Sequence, residues 1–356
     1  MTITTIQEKR VDLKSQWLAL LEAEPKIRAR DAAEKLEVSE MELVAIRCGD
    51  GVRRLSENWG EILQDFPTLG IIMSLTRNES AVHEKVGAFD KVSIMQNMGL
   101  VLNHDIDLRI FLNHWSAGFA VTEETRSGLR RSFQFFDVDG TAVYKLYLRE
   151  ESDVDAYEAL VEKFLHEDQS ATQSVLPKLA IPADRPDSEI DQVVLKDRWV
   201  ALQDVHDFHA MLQELGAGRV QALRLVGEEV AYRVEENAFK AALELAAETN
   251  LSIMIFSGNA GVIQIHTGPV TKLKEVGPWF NVLDPGFNLH LRMDQIVTAW
   301  IVKKPTRDGI VTSLEIFDAD NQQIAWMFGD RKPGQPESLP WRALVDTLAP
   351  LSGAAS

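Results

Sequence analysis

Apolar residues recur at two different spacings along the chain, and the change of spacing separates helices from strands. Leu13, Trp17, Leu20 and Leu21 recur at helical spacing and predict one helix, which Pro25 ends. From residue 69 onward the pattern is typical of strands. The further elements predicted for the first half are helices at 30–36, 39–47 and 154–166 and strands at 71–75, 81–86, 92–103, 107–112, 118–123, 131–136 and 142–148.

Local motifs predict where some of these elements begin and end. Glu42 follows Ser39 by three residues, the spacing of a capping box, so Ser39 is the predicted N-cap of its helix. Residues 137–140, Asp-Val-Asp-Gly, stand between two strand patterns and predict a hairpin turn. Residues 76–80 predict another hairpin loop.

The second half repeats the order of helices and then strands after a segment rich in Ser, Gln, Pro and Asp. This segment, 168–193, is interrupted by three prolines and is the predicted linker between an N-terminal lobe, 1–167, and a C-terminal lobe, 194–356. The elements predicted for the C-terminal lobe are helices at 197–215, 219–226, 239–248 and 340–348, strands at 252–255, 298–302, 311–317 and 323–328, and a turn at 258–261.

The two lobes also share residues at a fixed separation. Residues 71–149 recur at 252–330, offset by 181 positions (259 − 78 = 181). The matching pairs are Asn78 and Asn259, Gly87 and Gly268, Gly128 and Gly309, Phe136 and Phe317, and Asp137 and Asp318; Leu108-Arg109 recurs two residues out of step as Leu291-Arg292. We predict an α+β fold of two tandem, structurally similar repeats, each with helices and a largely antiparallel sheet.

Composition narrows the class of partner. The formal net charge of −17 argues against broad contact with nucleic acid or anionic lipid. Cys48 is the only cysteine, so an intrachain disulfide and a cysteine-based metal cage are excluded. Residues 1–14 lack the apolar core of a secretion signal, and no apolar stretch reaches the length of a membrane span. The expectation is a cytoplasmic protein that does not insert into membranes.

Only the second repeat is preceded by two histidines three residues apart. His206 and His209 lie in a predicted helix whose Phe208 and Leu212 are apolar, and both imidazoles leave the same side. This spacing alone is more typical of one surface histidine and one packed histidine. A zinc site is a poorer interpretation, because no third ligand is nearby in sequence.

Several motifs occur in order along the chain. They are Asp204-Val205-His206 with downstream Arg219, Asp107-Leu108-Arg109-Ile110-Phe111, Trp300-Ile301-Val302-Lys303-Lys304-Pro305-Thr306, and Gly329-Asp330-Arg331. Together with the repeat, they resemble the cytoplasmic haem-binding and haem-degrading proteins of bacterial haem uptake, the HemS/HmuS/ChuS/PhuS type. The resemblance covers nearly the whole chain and implies haem b, iron protoporphyrin IX, in the cleft between the two repeats.

The resemblance assigns roles near the iron. His206 takes the place of the proximal ligand, a role that neutral imidazole commonly has in haem proteins. His209 stands where some members carry an alternate ligand. Asp207 lies between the two histidines and would fix a tautomer if it packs near either ring, although a solvated helix aspartate is the more typical interpretation. Arg109 matches the distal arginine, which would be the catalytic group in an enzyme, and Phe111 would pack on the porphyrin.

Further residues are assigned to the edge of the haem. Arg219, Lys304 and Arg331 occupy the places of cations that bind the propionates at the pocket mouth, although each alone is more typical of a solvated surface cation. The apolar stretch 326–328, Trp-Met-Phe, favours porphyrin burial or simple packing.

Three functions are compatible with the sequence. The favoured one is delivery of haem from an inner-membrane importer to a haem oxygenase, because the histidine pair offers a route for ligand exchange. The alternative is a haem-degrading enzyme that opens the porphyrin with O2 and a reductant. A helix-turn-helix regulator at 30–43 is a distant third, since Glu40 and Glu42 on its second helix would repel phosphate.

Overall fold

The computed structural model describes residues 3–125, 128–171, 173–332, 334–348 and 350–351, which form two compact units. Unit 1 consists of Met1–Thr76, Lys85–Leu179 and Asn259–Ile263, and unit 2 consists of Arg77–Glu84, Ala180–Gly258 and Gln264–Ser356. The main division falls inside the predicted linker. Arg77–Glu84, from the first half of the chain, belongs to unit 2, and Asn259–Ile263, from the second half, belongs to unit 1. The sequence did not predict this exchange.

Unit 1 contains helices and antiparallel strands. Its helices are α1 (Ile3–Ala23), α2 (Ala29–Lys35), α3 (Glu40–Ala45), α4 (Trp59–Asp65) and α5 (Val154–Lys163). The strands of this half of the chain are β1 (Val52–Leu55), β2 (Gly70–Arg77), β3 (Ala81–Ala88), β4 (Val92–Met95), β5 (Met98–Leu102), β6 (Asp107–Phe111), β7 (Ala117–Thr125), β8 (Gly128–Phe136) and β9 (Ala142–Ser152).

The strands of unit 1 form two antiparallel groups. One has the order β1-β7-β8-β9-β2, and the other has the order β4-β5-β6. Aromatic rings fill the core beneath the first group, with the centroids of Phe66 and Phe133 5.1 Å apart. The predicted capping box of α3 is confirmed, because Ser39 accepts from the Glu42 N–H and Glu42 accepts from the Ser39 N–H.

Unit 2 repeats this arrangement. Its helices are α6 (Gln192–Val200), α7 (Asp207–Leu215), α8 (Arg219–Leu225), α9 (Ala238–Glu248) and α10 (Leu339–Asp346). The strands of the second half are β10 (Ala231–Val234), β11 (Ile253–Gly258), β12 (Val262–Gly268), β13 (Leu273–Val276), β14 (Trp279–Asp284), β15 (Phe287–Arg292), β16 (Thr298–Thr306), β17 (Gly309–Phe317) and β18 (Gln323–Gly329).

The strand groups of unit 2 have the same orders as those of unit 1. One group is β10-β16-β17-β18-β11, and the other is β13-β14-β15. Because side chains alternate along a strand, Trp300 and Val302 pack with α6, α7 and α8, while Ile301 packs with α9 and α10 on the opposite face. The predicted α+β class with two similar repeats is confirmed.

Several predicted boundaries were wrong. The helix predicted at 197–215 is two helices, α6 and α7, because residues 201–206 form a turn in which the Asp204 carboxylate accepts the His206 N–H and competes with helical hydrogen bonds. The strand predicted at 92–103 is two strands, β4 and β5, which turn at Gln96 with a positive φ of 54°. None of the helices among the described residues has the length and apolar character needed to cross a membrane.

The repeated asparagines have the same role in the two units. In unit 2, Asn78 Oδ1 accepts the N–H groups of Ser80 and Ala81, and its Nδ2 donates to the carbonyls of Gly258 and Ile324. In unit 1, Asn259 Oδ1 accepts the N–H groups of Gly261 and Val262, and its Nδ2 donates to the Val143 carbonyl. One side chain thus closes each hairpin turn and ties it to a second strand.

We expect Asn78→Ala and Asn259→Ala each to lower the free energy of unfolding by about 1–3 kcal/mol, because buried backbone groups lose their partners. Urea unfolding followed by circular dichroism measures the change. Asn97→Ala, in the exposed turn between β4 and β5, is the control. A loss no larger than that of the control would show that the side-chain bonds do not stabilise the turns.

Candidate functional site

His206 lies at the start of α7 and not within a longer helix. It is the N-cap residue of α7, and its side chain is 83% exposed. His209 follows in the first turn of α7 and is also exposed. Phe208 and Leu212 are buried on the other side of the helix. Both histidines are therefore exposed, and His206 precedes the helix.

A carboxylate holds the His206 ring. Its Nδ1 lies 2.6 Å from Oδ1 of Asp204, and the same oxygen accepts the backbone N–H of His206 at 2.9 Å. When the N–H at Nδ1 donates a hydrogen bond to Asp204, the lone pair of the neutral ring is on Nε2, and this nitrogen can bind a metal. The sequence suggested Asp207 as a candidate for fixing the tautomer, but the residue in contact with the ring is Asp204.

Phe208 connects this end of α7 to two of the predicted cations. Its ring centroid lies 5.0 Å from the Arg219 guanidinium carbon and 4.6 Å from Lys304 Nζ. Both distances are within the range of cation–π attraction. The residue two positions after His206 therefore packs directly against Arg219 and Lys304.

A fully buried carboxylate, Glu315, organises these cations. Arg219 binds it through two nitrogens at 2.8 and 2.9 Å, and Lys304 Nζ lies 2.7 Å from Oε1. Ser313 donates to Oε1 at 2.7 Å, and Gln323 donates to Oε2 at 3.0 Å. Every donor in this cluster points at one carboxylate, which fixes the positions of both cations.

The protonation states leave the cluster with excess positive charge. Burial alone would raise the pKa of Glu315, but Arg219 and Lys304 outweigh burial and lower this pKa to about 2. Burial, helped by repulsion from Arg219, lowers the pKa of Lys304 to about 8 despite the attraction of Glu315. At neutral pH two cations therefore face one anion. Among the described residues that bond in this cluster, the positive charges outnumber the negative by one, which suits a further carboxylate.

The three predicted propionate-binding cations are not equivalent. Arg219 is one-quarter exposed, whereas Lys304 is buried. Phe208 and Glu315 enclose the ammonium group of Lys304. Arg331 makes different contacts, with the Asp308 carboxylate at 3.9 Å and the Gln335 carbonyl at 3.4 Å. The structure thus brings Arg219 and Lys304 together around Glu315.

A half-buried aromatic surface adjoins the charged cluster. Trp326 is the cross-strand neighbour of Glu315, and Phe256 is the neighbour of Trp326 on the next strand. The rings of Phe256 and Trp326 stack at 5.4 Å, and Phe328 meets Phe256 edge-on at 5.3 Å. We call Phe256, Trp326 and Phe328 the aromatic platform.

Sequence reasoning missed Phe256 and Glu315. Trp326 and Phe328 are two residues apart on a strand, which signals a shared face. A glutamate inside the apolar strand 311–317 also signals a buried partner. Neither signal identifies the partner, because the pairing of β17, β18 and β11 joins distant segments.

The positions of unit 1 that correspond to Glu315 and Trp326 carry different residues. The offset of 181 places Gln134 at the position of Glu315 and Lys145 at that of Trp326 (315 − 134 = 181; 326 − 145 = 181). Gln134 donates to Ser132 Oγ at 3.0 Å, and Lys145 forms a buried ion pair with Glu40. Lys145 and Glu40 are therefore matched one to one, and a lysine replaces the central ring of the platform.

Arg109 and Phe111, the predicted haem contacts of the first lobe, lie on strand β6 of unit 1. They face Leu100 and Met98 across the strand pair, and all four point to one face of the β4-β5-β6 group. Arg109 is partly exposed and pairs with Asp107. Burial raises the pKa of Asp107, and Arg109 opposes this rise.

We expect Glu315→Gln to lower the free energy of unfolding by about 3–5 kcal/mol, because it leaves a buried cluster of cations without its counter-charge. Since the pKa of Glu315 is depressed, its carboxylate stabilises the fold above the ordinary value of 4.5 and loses this effect as pH falls toward about 2. The difference in the free energy of unfolding between Glu315→Gln and the unsubstituted protein should therefore become smaller as pH falls from 4.5 toward about 2. Urea unfolding at a series of pH values measures this difference.

Asp308→Asn is the matched control, because it removes the carboxylate partner of Arg331 at a partly exposed position. We expect it to cost at most about 1 kcal/mol. Equal losses in the two variants would contradict the central role of Glu315.

Comparison with known proteins places this geometry in a family. The model of the haemin-degrading HemS.ChuX domain matches residues 37–164 and again 216–348. The hemin transport protein HmuS of Yersinia pestis is 39% identical over 337 residues, which cover 94% of this chain and 97% of HmuS.

Two solved structures are similar over nearly their whole length. Holo-PhuS, a haem-binding protein from Pseudomonas aeruginosa, aligns with a TM-score of 0.94 at 48% identity, covering 96% of this chain and 99% of PhuS. The haem-degrading enzyme ChuS of Escherichia coli O157:H7 aligns with a TM-score of 0.88 at 37% identity, covering 94% and 98%. With two matches to the family model and relatives that align along both units, the chain belongs to the HemS/ChuS family.

Proposed function

We propose that this protein binds haem b through His206 and delivers it to a haem oxygenase. The observation that carries the proposal is the exposed His206 ring, whose Nδ1 is held by Asp204 so that Nε2 is available for iron. The names of the relatives support haem as the ligand, since PhuS is described as haem-binding and HmuS as a hemin transport protein. An inner-membrane importer is the proposed source of the haem.

The features of unit 2 fit the chemistry of an iron porphyrin. The aromatic platform offers ring faces on which a flat macrocycle can stack. The excess positive charge of the Glu315 cluster, partly exposed at Arg219, suits a propionate. Lys304 would act through its charge from within the cluster, and Arg331 is proposed as a separate propionate contact.

The residues predicted in unit 1 enter the proposal through the resemblance. Arg109 is proposed as a cation near the iron that stabilises a bound anion. Phe111 is proposed as an apolar contact of the porphyrin. Their partly exposed position beside Met98 and Leu100 leaves both side chains in reach of a ligand.

Delivery is favoured over degradation by the second histidine. His209 is exposed in the first turn of α7, three residues after His206, and its imidazole offers a second ligand for the iron during release. Degradation with O2 and a reductant is the alternative, favoured by the family description and by the haem-degrading relative ChuS. In that case Arg109 would be the catalytic group.

We expect His206→Ala to weaken and shift the Soret band of the ferric complex and to lower haem affinity, because the iron loses its axial imidazole. Titration of purified protein with hemin, followed by absorption, measures both. The unsubstituted protein should form a saturable one-to-one complex.

His104→Ala is the matched control, because His104 is also highly exposed and also bonds an aspartate through Nδ1, at 2.9 Å from Asp105. It should titrate like the unsubstituted protein. The ligand assignment is wrong if the two histidine variants give the same spectrum and affinity.

We expect His209→Ala to slow haem transfer to a haem oxygenase while leaving the equilibrium spectrum nearly unchanged, since His206 stays the resting ligand. Stopped-flow mixing of the loaded protein with the apo-oxygenase measures the rate. An unchanged transfer rate would rule out ligand exchange through His209.

A further inference from the structure

We propose that Asp204 is a positioning residue that orients the His206 ring and strengthens its donation to haem iron. The proposal rests on the proposed ligation of haem by His206 and deepens it, because it concerns how firmly that ligand holds the iron and which oxidation state it favours. The supporting geometry lies entirely within residues 204–206 of unit 2.

One oxygen of Asp204 bonds the same histidine twice. Oδ1 accepts the backbone N–H of His206 at 2.9 Å and faces its Nδ1 at 2.6 Å. The first bond fixes the main chain where α7 begins, and the second fixes the rotation of the ring. Because the ring is 83% exposed, packing constrains it little, and the hydrogen bond supplies the orientation that a buried ligand would get from its neighbours.

The same contact selects the tautomer of the ring. A neutral imidazole carries its proton on either nitrogen, and an acceptor beside Nδ1 keeps the proton there. The Nε2 lone pair is then available to iron without a proton shift. Since the acceptor is an anion, it also makes the imidazole a stronger donor, as carboxylates do behind metal-bound histidines. Stronger donation favours ferric over ferrous iron.

Asp207 provides a matched comparison. It has the same charge, lies one residue after His206 and occupies the first turn of α7. If any negative charge near the iron alters the properties of the haem, substitution of Asp207 will change them as much as substitution of Asp204. If the effect passes through the hydrogen bond to the ring, only substitution of Asp204 will change them.

The test uses the full-length protein loaded with haem. Asp204→Asn retains an oxygen for the backbone N–H and removes the charge, whereas Asp204→Ala removes both bonds; Asp207→Asn is the control. The readouts are the iron–imidazole stretching frequency of the ferrous complex, the ratio of ferric to ferrous haem affinity, and the rate of haem loss to apomyoglobin. Circular dichroism checks that each variant is folded.

For Asp204→Asn we expect a lower stretching frequency and a ferric-to-ferrous affinity ratio reduced about tenfold. For Asp204→Ala we expect haem loss about 10–100-fold faster, the usual effect of removing a partner of a metal ligand. Asp207→Asn should match the unsubstituted protein in all three readouts.

Two negative results have different meanings. If His206→Ala alters the haem spectrum but Asp204→Asn gives the same frequency and affinity ratio as Asp207→Asn, the role of Asp204 is overturned and the ligand assignment stands. If His206→Ala leaves the spectrum unchanged, the proposed ligation fails and the role of Asp204 fails with it.

Discussion

The charged cluster of unit 2 depends on the burial of Glu315. A carboxylate without solvent is tolerated only where cations and hydroxyl or amide donors surround it, and here Arg219, Lys304, Ser313 and Gln323 do so. This requirement fixes two cations from different elements, α8 and β16, at one place beside the aromatic platform. The positions of the proposed propionate contacts therefore follow from a structural need of the sheet.

The two repeats show how one scaffold acquires one specialised half. Both units keep the same strand orders and the same asparagine-closed turns. They differ at the strand positions occupied by Gln134 and Lys145 in unit 1 and by Glu315 and Trp326 in unit 2. At these positions unit 1 has a buried Lys145–Glu40 ion pair. In unit 2 an aromatic ring stands at the lysine position, and Glu315 binds Arg219 and Lys304. The same scaffold therefore carries different buried charges in its two units.

The sequence predicted the structural features that are encoded by short motifs or by a regular spacing of residues. The capping box at Ser39, the hairpin at 137–140 and the tandem repeat are examples, since each depends on residues close in sequence or at a constant offset. It missed the break before α7 because Leu202 and Val205 continue the apolar spacing through the turn. The order of the motifs along the chain was enough to identify His206 and Arg219 as candidate site residues. The burial of Lys304 and the stacking of Phe256 on Trp326 depend instead on pairing between distant strands.

Two short segments belong to the unit formed mainly by the other half of the chain, and they limit how the protein can be cut into fragments. Arg77–Glu84 belongs to unit 2 although it precedes the linker, and Asn259–Ile263 belongs to unit 1 although it follows the linker. Cleavage within 168–193 would give two fragments. Each fragment would lack a short segment, a turn and part of a strand, that belongs to its own folded unit. Fragments of this family member are therefore poor substitutes for the intact chain, even though its sequence duplication suggests two self-sufficient modules.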